Sequence, residues 1–337
     1  MTGPATGAGP AVRFHRFGIE VEQGLFWLDS RRKRPFGVVS HAHGDHVARH
    51  DTILCTPETG ALFRKRNGPG PRFMERRYGE KTPVGDLTVT LLPAGHILGS
   101  AMVLVEGRGG SLLYTGDVRP AGGITCPPAE VRHADVLITE ATFGHPDHRL
   151  PPAEESRARL VAHARDALDD GRVPVFLAYS LGKGQEVMVL LGRAGIPVAA
   201  HGAVWNLCPV YRRFGVRFPC SRRLADRPRR DCAIVVPPRH RHAAEVRAQA
   251  PLWVVAVTGW GRRALARGID AVVPLSDHAD YGELLHLVDG VAPSRVHVVH
   301  GYAPEFASSL RQRGYAAHAV AGHSGPDTAG PGGLWGA

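Results

Sequence analysis

Hydrophobic residues in this chain come in short runs that stop abruptly, and a histidine or carboxylate repeatedly sits where a run ends. Val12–Phe17 and Ile19–Leu28 alternate apolar and polar positions, which predicts the two strands of a hairpin turning near Gly18. Gly37–Ser40, Thr52–Cys55 and Leu87–Leu92 read as further strands, and Pro57 opens a helix to about Arg66. Ala101–Glu106 and Ser111–Thr115 predict a hairpin about Gly107–Gly110, and Asp135–Thr139 another strand. From about His145 the pattern changes to helix-strand alternation. Glu154–Asp169 places Leu160, Val161, Ala164 and Leu168 on one stripe; Val173–Ala178 is a buried strand with a helix behind it to about Gly192. Pro197–Ala200, Ala233–Val236, Trp253–Val257, Ala271–Leu275 and Val296–Val299 complete the strands, and a helix is expected over Pro304–Arg313. This is a layered α/β protein with a smaller α/β insertion.

The run ends carry the chemistry. Phe36-Gly37-Val38-Val39 delivers Ser40-His41-Ala42-His43-Gly44-Asp45-His46, four candidate metal ligands within six residues. Imidazole and carboxylate in a short loop suit zinc, manganese or iron. Trp27-Leu28 ends in Asp29, the Leu87–Leu92 strand leads to His96 between glycines, and Gly116-Asp117 follows the next hairpin. Glu140, His278 and His300 lie beyond later strands. Pairs of catalytic cations sit about 3.5–4 Å apart and need several ligands from each side. His41, His43 and His96 would make one site; Asp45, His46 and His278 its neighbour, with Asp117 bridging and an acidified bridging solvent as nucleophile. Asp29 is better suited to receive the N–H of a ligand histidine than to bind metal.

Composition narrows the class. The chain has 337 residues, 43% of them hydrophobic and 21% charged, with a net charge of +10. A positive field attracts polyanions, nucleic acid first among them. Cys55, Cys126, Cys208, Cys220 and Cys232 form no C-x-x-C pair, which argues for a reducing compartment. No apolar run approaches the ~20 residues that span a bilayer. The Gly/Pro/Ala-rich start lacks a signal core. A cytoplasmic protein without membrane contact is expected, with disordered tails over 1–11 and 323–337.

With those residues in view, the chain resembles the metallo-β-lactamase fold, specifically its nucleic-acid-processing branch with a β-CASP insertion. His41-Ala42-His43-Gly44-Asp45-His46 matches the signature motif, and Asp29, His96 and Asp117 match the first, third and fourth motifs. Glu140 in Glu-Ala-Thr-Phe-Gly looks like β-CASP motif A, His278 like motif B and His300 like motif C. The resemblance implies a four-layer αβ/βα sandwich with its core over 12–145 and 251–322 and the insertion over 146–250. It implies two divalent ions (Zn or Mn), with Asp45, Asp29, Glu140 and His300 as catalytic residues and Glu140 paired with His300 near the leaving oxygen. Leu181-Gly182-Lys183-Gly184-Gln185-Glu186 is similar to the family's Gly-Arg-x-Gln-Glu stretch, with Lys in place of Arg. Ser180, Gly182, Lys183 and Gln185 would then bind substrate phosphates, in a cleft between core and insertion.

Closer still is the likeness to bacterial exonucleases associated with an ATP-dependent DNA ligase and a large helicase, relatives of Artemis-type repair nucleases. Metal-dependent cleavage of DNA, at single strands or ends, is therefore the first expectation. RNA processing by the same chemistry is the alternative, because His at motif C accompanies RNA enzymes in the wider family. A thioester or lactam hydrolase fits less well with the insertion and the charge, and a non-catalytic scaffold less well with the complete ligand set.

Overall fold

The computed structural model describes residues 9–22, 25–225, 231–261 and 267–321. The expected tails lie wholly or largely outside these residues. Two compact units emerge: one from the residues up to 122, 126–149 and 278 onward, the other chiefly from 150–277.

In the first unit, β1 (Val12–His15), β2 (Gly18–Val21), β3 (Phe26–Leu28), β4 (Phe36–Val38), β5 (Thr52–Cys55) and β6 (Arg72–Glu75) pair in that order. The expected strand Ile19–Leu28 is two strands, because Glu22 adopts a left-handed φ of 44° and turns the chain. The second sheet contains β7 (Lys81–Val84), β8 (Leu87–Pro93), β9 (Ala101–Gly107), β10 (Gly110–Tyr114) and β11 (Val136–Glu140). It continues through β18 (Arg295–Val299) to β19 (Ala317–Ala319), in the order β19-β18-β11-β10-β9-β8-β7.

Period-two alternation decides which layers meet. On β9, Ala101, Val103 and Val105 point toward Ile19, Phe26 and Leu54 of the first sheet. Met102 and Leu104 point the other way, onto Leu284 and Leu287 of α7 (Tyr281–Val291) and Phe306 and Leu310 of α8 (Ala303–Gln312). The outer face of the first sheet packs Val39 and Ile53 on Phe63 of α1 (Pro57–Asn67). The result is a helix–sheet–sheet–helix sandwich. Each fully buried Val or Leu here contributes about 1.5–3 kcal/mol through removal from water.

The second unit is built on a parallel sheet, β14-β13-β15-β12-β16-β17, with α2 (Ala153–Asp169) and α3 (Lys183–Arg193) among its helices. Its strands are β12 (Val173–Leu177), β13 (Val198–Ala200), β14 (Ser221–Arg223), β15 (Ala233–Val236), β16 (Leu252–Val257) and β17 (Ala271–Val273). The sequence reading ended the insertion at 250 and gave the last two strands to the core. Instead β16 pairs with β12 from Val173↔Leu252 to Leu177↔Ala256, and β17 pairs with β16. The unit therefore runs to Asp277. Parallel strands apolar on both faces carry no mark of which sheet they join.

No helix of the described residues is long and apolar enough to cross a membrane. No disulfide joins the five cysteines.

Candidate metal centre

β8, β10, β11 and β18 run in one direction, so the loops that follow them collect at one edge of the second sheet. His96, Asp117, Glu140 and His300 lie on those loops or at the strand end. The loop after β4 supplies His41 to His46, and Asp29 follows β3. Two glycines make the crowding tolerable. A Cβ on Gly95, at φ 76°, would lie 2.0 Å from the Arg119 carbonyl oxygen; one on Gly116, at φ 54°, would lie 2.7 Å from Ser40 Oγ.

The ring nitrogens converge. His43 Nδ1 lies 3.1 Å from His41 Nε2 and 3.0 Å from His96 Nε2. Asp117 Oδ2 lies 3.3 Å from His41 Nε2 and 3.6 Å from His96 Nε2. A tetrahedral zinc site with bonds of about 2.0–2.1 Å has ligand–ligand edges of roughly 3.3 Å, so these four atoms fit one cation. The other oxygen, Asp117 Oδ1, is 3.4 Å from His46 Nε2, which is 3.7 Å from Asp45 Oδ2. Asp117, Glu140 and His278 also bring ligand atoms within 4.8 Å of one another. Asp117 thus turns one oxygen to each of two donor groups.

Buried partners fix which nitrogen faces inward. Asp29 Oδ2 accepts from His46 Nδ1 at 2.8 Å, from Tyr114 Oη at 2.9 Å and from the Ser40 hydroxyl; Asp29 Oδ1 accepts from the Ser40 amide at 2.7 Å. His41 Nδ1 is 2.9 Å from Ser40 Oγ, so a chain His41–Ser40–Asp29 leaves Nε2 of His41 as the inward lone pair. His278 Nδ1 meets both oxygens of Glu140, at 2.9 and 3.1 Å, while the Val118 amide donates to Glu140 at 2.8 Å. The pairing of Glu140 with His300 expected from the sequence is replaced by Glu140–His278. His300, with φ 60°, instead places its ring 5.9 Å from that of His46. His278 is free of capping duty, since Asp280 caps α7 through the Glu283 amide at 2.8 Å.

Electrostatics follow from burial. Burial, reinforced by four neighbouring imidazoles, holds His41 well below the usual histidine range, so it is neutral and ready to donate a lone pair. Burial also pushes Asp117 up to about 7, against the pull of His46 and His278. In Asp45 burial raises the pKa, but His46 and His43 outweigh it and bring the carboxyl to about 2. In Glu140 burial is likewise overcome, here by His278, and the value is again about 2. Burial lowers the His46 pKa, but Asp117, Asp45 and Asp29 outweigh it and hold His46 well above the usual histidine range.

Comparisons with known proteins point the same way. No family model matches the chain. It is 40% identical over 314 residues to a protein named "Probable DNA ligase" from Opitutus terrae, covering 90% of this chain and 30% of that one. It is 26% identical over 208 residues to an "RNase J-like protein" of Methanocaldococcus jannaschii, covering 52% of this chain and 49% of that protein. It is 35% identical over 159 residues to the chicken "5' exonuclease Apollo", covering 45% of this chain and 34% of that protein. The relatives that the chain matches are metallo-β-lactamase nucleases of the β-CASP branch. It spans less than half the length of each of these relatives.

In this chain the stretch around Lys183 has an internal use. Lys183 is 1% exposed, and its ammonium donates to the Leu275 carbonyl at 2.9 Å and to Asp277 Oδ1 at 3.0 Å. Gln185 Oε1 accepts from the Gly182 amide, and Gln185 Nε2 donates to the carbonyls of Ser180 and Val204. These side chains hold the start of α3 in place, and the Lys183 charge is matched by Asp277. Sequence reading missed Ser40 and Tyr114 as partners of Asp29. Adjacency to His41 was the available signal for Ser40; Tyr114 had none, being 85 residues from Asp29.

Proposed function

We propose that the chain is a divalent-metal phosphodiesterase that cleaves DNA, acting as an exonuclease in repair. The observation that carries this reading is the divided carboxylate of Asp117, with Oδ2 toward His41 and His96 and Oδ1 toward His46. That division suits a carboxylate shared by two ions, with His43 completing one ligand group and Asp45 and His278 the other. Divalent ions bound there supply Lewis acidity toward a phosphate oxygen and lower the pKa of a bound water.

The chain's own residues supply orientation and proton management. Asp29, through His46 and Ser40, holds two imidazoles with the correct nitrogen inward. Glu140 does the same for His278. His300 lines one pocket with Asp45 and His46, a position from which it would protonate the leaving oxygen. The relatives' names support cleavage of nucleic acid: one is a 5′ exonuclease, and one is named a probable DNA ligase. Because 90% of this chain aligns with only 30% of that ligase-named protein, we infer a functional link to end joining, in which ends trimmed here are passed to a ligase.

RNA is the second reading, favoured by the RNase J-like relative. Labelled single-stranded DNA, duplex DNA and RNA, digested in parallel with Mn²⁺ or Zn²⁺, separate the two. Cleavage of DNA, abolished in Asp117→Ala and Asp45→Ala, is expected. RNA as the only substrate would replace the DNA reading, and full turnover in either variant would remove the site.

A further inference from the structure

The N-terminal strands carry a group of cations that neither the metal centre nor the second unit uses. The guanidinium carbons of Arg16, Arg31 and Arg32 lie 5.3, 5.7 and 3.9 Å from the centre of one ring, that of Phe17. Arg31 also donates to the Arg16 carbonyl at 3.0 Å, which ties the β1–β2 turn to the segment after β3. Among the described residues none of the three faces a carboxylate partner, whereas nearby Lys33 is paired with Asp51 at 2.6 Å. Like charges gathered around one aromatic ring without a counter-ion repel one another and are relieved by an arriving anion.

Their position gives that anion a place. Arg16 and Arg31 line a small pocket whose other walls include Asp29, Asp45, His46 and His300. Cations that share a pocket wall with the candidate metal ligands stand where a strand entering that pocket would present a phosphate next to the one being cut. Arginine suits this task, since its fork of donors meets two phosphate oxygens at once.

We propose that Arg16 and Arg31 form a phosphate-binding lip on the active-site pocket, gripping the sugar-phosphate backbone of a nucleic-acid strand beside the scissile bond. This rests on the phosphodiesterase reading, and it assigns to the N-terminal strands the grip that sequence alone gave to Lys183.

The test is binding of a fluorescein-labelled oligo-dT in EDTA, followed by anisotropy across a series of salt concentrations. Each phosphate contact to a single strand contributes roughly 0.7 to the slope of log K against log salt, so Arg16→Gln with Arg31→Gln should flatten it by about 1.4. Arg16→Lys with Arg31→Lys should retain the slope while binding more weakly. Arg72→Ala with Arg108→Ala, which removes the same charge from exposed positions elsewhere, should leave the slope near the wild-type value. A wild-type slope in the double Gln variant, or an equal flattening in the Arg72/Arg108 control, would overturn the lip. Because binding is read without metal, a wild-type protein that binds the strand but never cuts it on adding Mn²⁺ would instead refute the phosphodiesterase reading.

Discussion

Asp29→Asn removes one negative charge, keeps the shape of the side chain and tests how the metal centre is held. The backbone there has φ 42°, which asparagine tolerates, so strain does not confuse the result. Asp29 receives four donors: the Ser40 amide on Oδ1, and the Ser40 hydroxyl, Tyr114 hydroxyl and His46 Nδ1 on Oδ2. An amide has one oxygen. If its nitrogen takes the Oδ1 position, the Ser40 N–H faces another N–H; if it takes the Oδ2 position, three donors lose their acceptor. At least one buried donor is orphaned either way, at a cost of about 1–3 kcal/mol of stability. His46 also loses the negative partner that makes its inward nitrogen basic, and loss of such a partner lowers metal affinity roughly 10–100-fold. Competition against a chromophoric chelator reads the affinity, and thermal unfolding of the metal-free protein reads the stability. A variant that is less stable but binds Mn²⁺ or Zn²⁺ as tightly as wild type would show that Asp29 braces the fold and does not tune the metal centre.

Lys183→Met should destabilise the protein, because it leaves the Asp277 carboxylate, 7% exposed, without the ammonium that faces it. Breaking a buried pair from one side costs about 3–5 kcal/mol, so the melting temperature falls by many degrees; an unchanged melting temperature would return Lys183 to the phosphate path. His50 gives a pH signature. Burial holds it at about 4 against the usual 6.5, its Nδ1 accepts from the Arg34 amide, and Nε2 is buried without a partner. The folded pKa is the lower one, so the unfolded chain binds the extra proton as pH drops. Stability is full above 6.5 and is lost between 6.5 and about 4, at about 1.4 kcal/mol per pH unit. Urea unfolding of the metal-free protein should show roughly 2 kcal/mol lost between pH 6.5 and 5, and His50→Gln should show a shallower decline; parallel declines would refute the assignment.

Much of this fold was legible because strand periodicity and glycine breaks are local signals. The loop from His41 to His46 declares itself by following an apolar run, and the registers of β9 and β10 follow from alternation. What was not legible depended on partners far away in sequence. Leu252–Val257 reads as a buried strand, yet nothing in its residues says that it pairs with Val173–Leu177. Lys183 resembles a phosphate-gripping residue until Asp277, 94 positions later, is seen against its ammonium. Glu140 and His300 both follow strands, and only the third dimension gives Glu140 to His278. Arg16 and Arg31 were hidden for a different reason: in a chain of net charge +10, two more arginines look like composition.

The central claim is that Asp117 stands between two cations. Crystals soaked in Mn²⁺ and measured at its absorption edge test this directly. Two anomalous peaks about 3.5–4 Å apart, one near His41, His43 and His96 and one near Asp45, His46 and His278, with Asp117 touching both, is the predicted result. A single peak that leaves Asp117 unligated, or none in crystals that take up Mn²⁺ elsewhere, would contradict it.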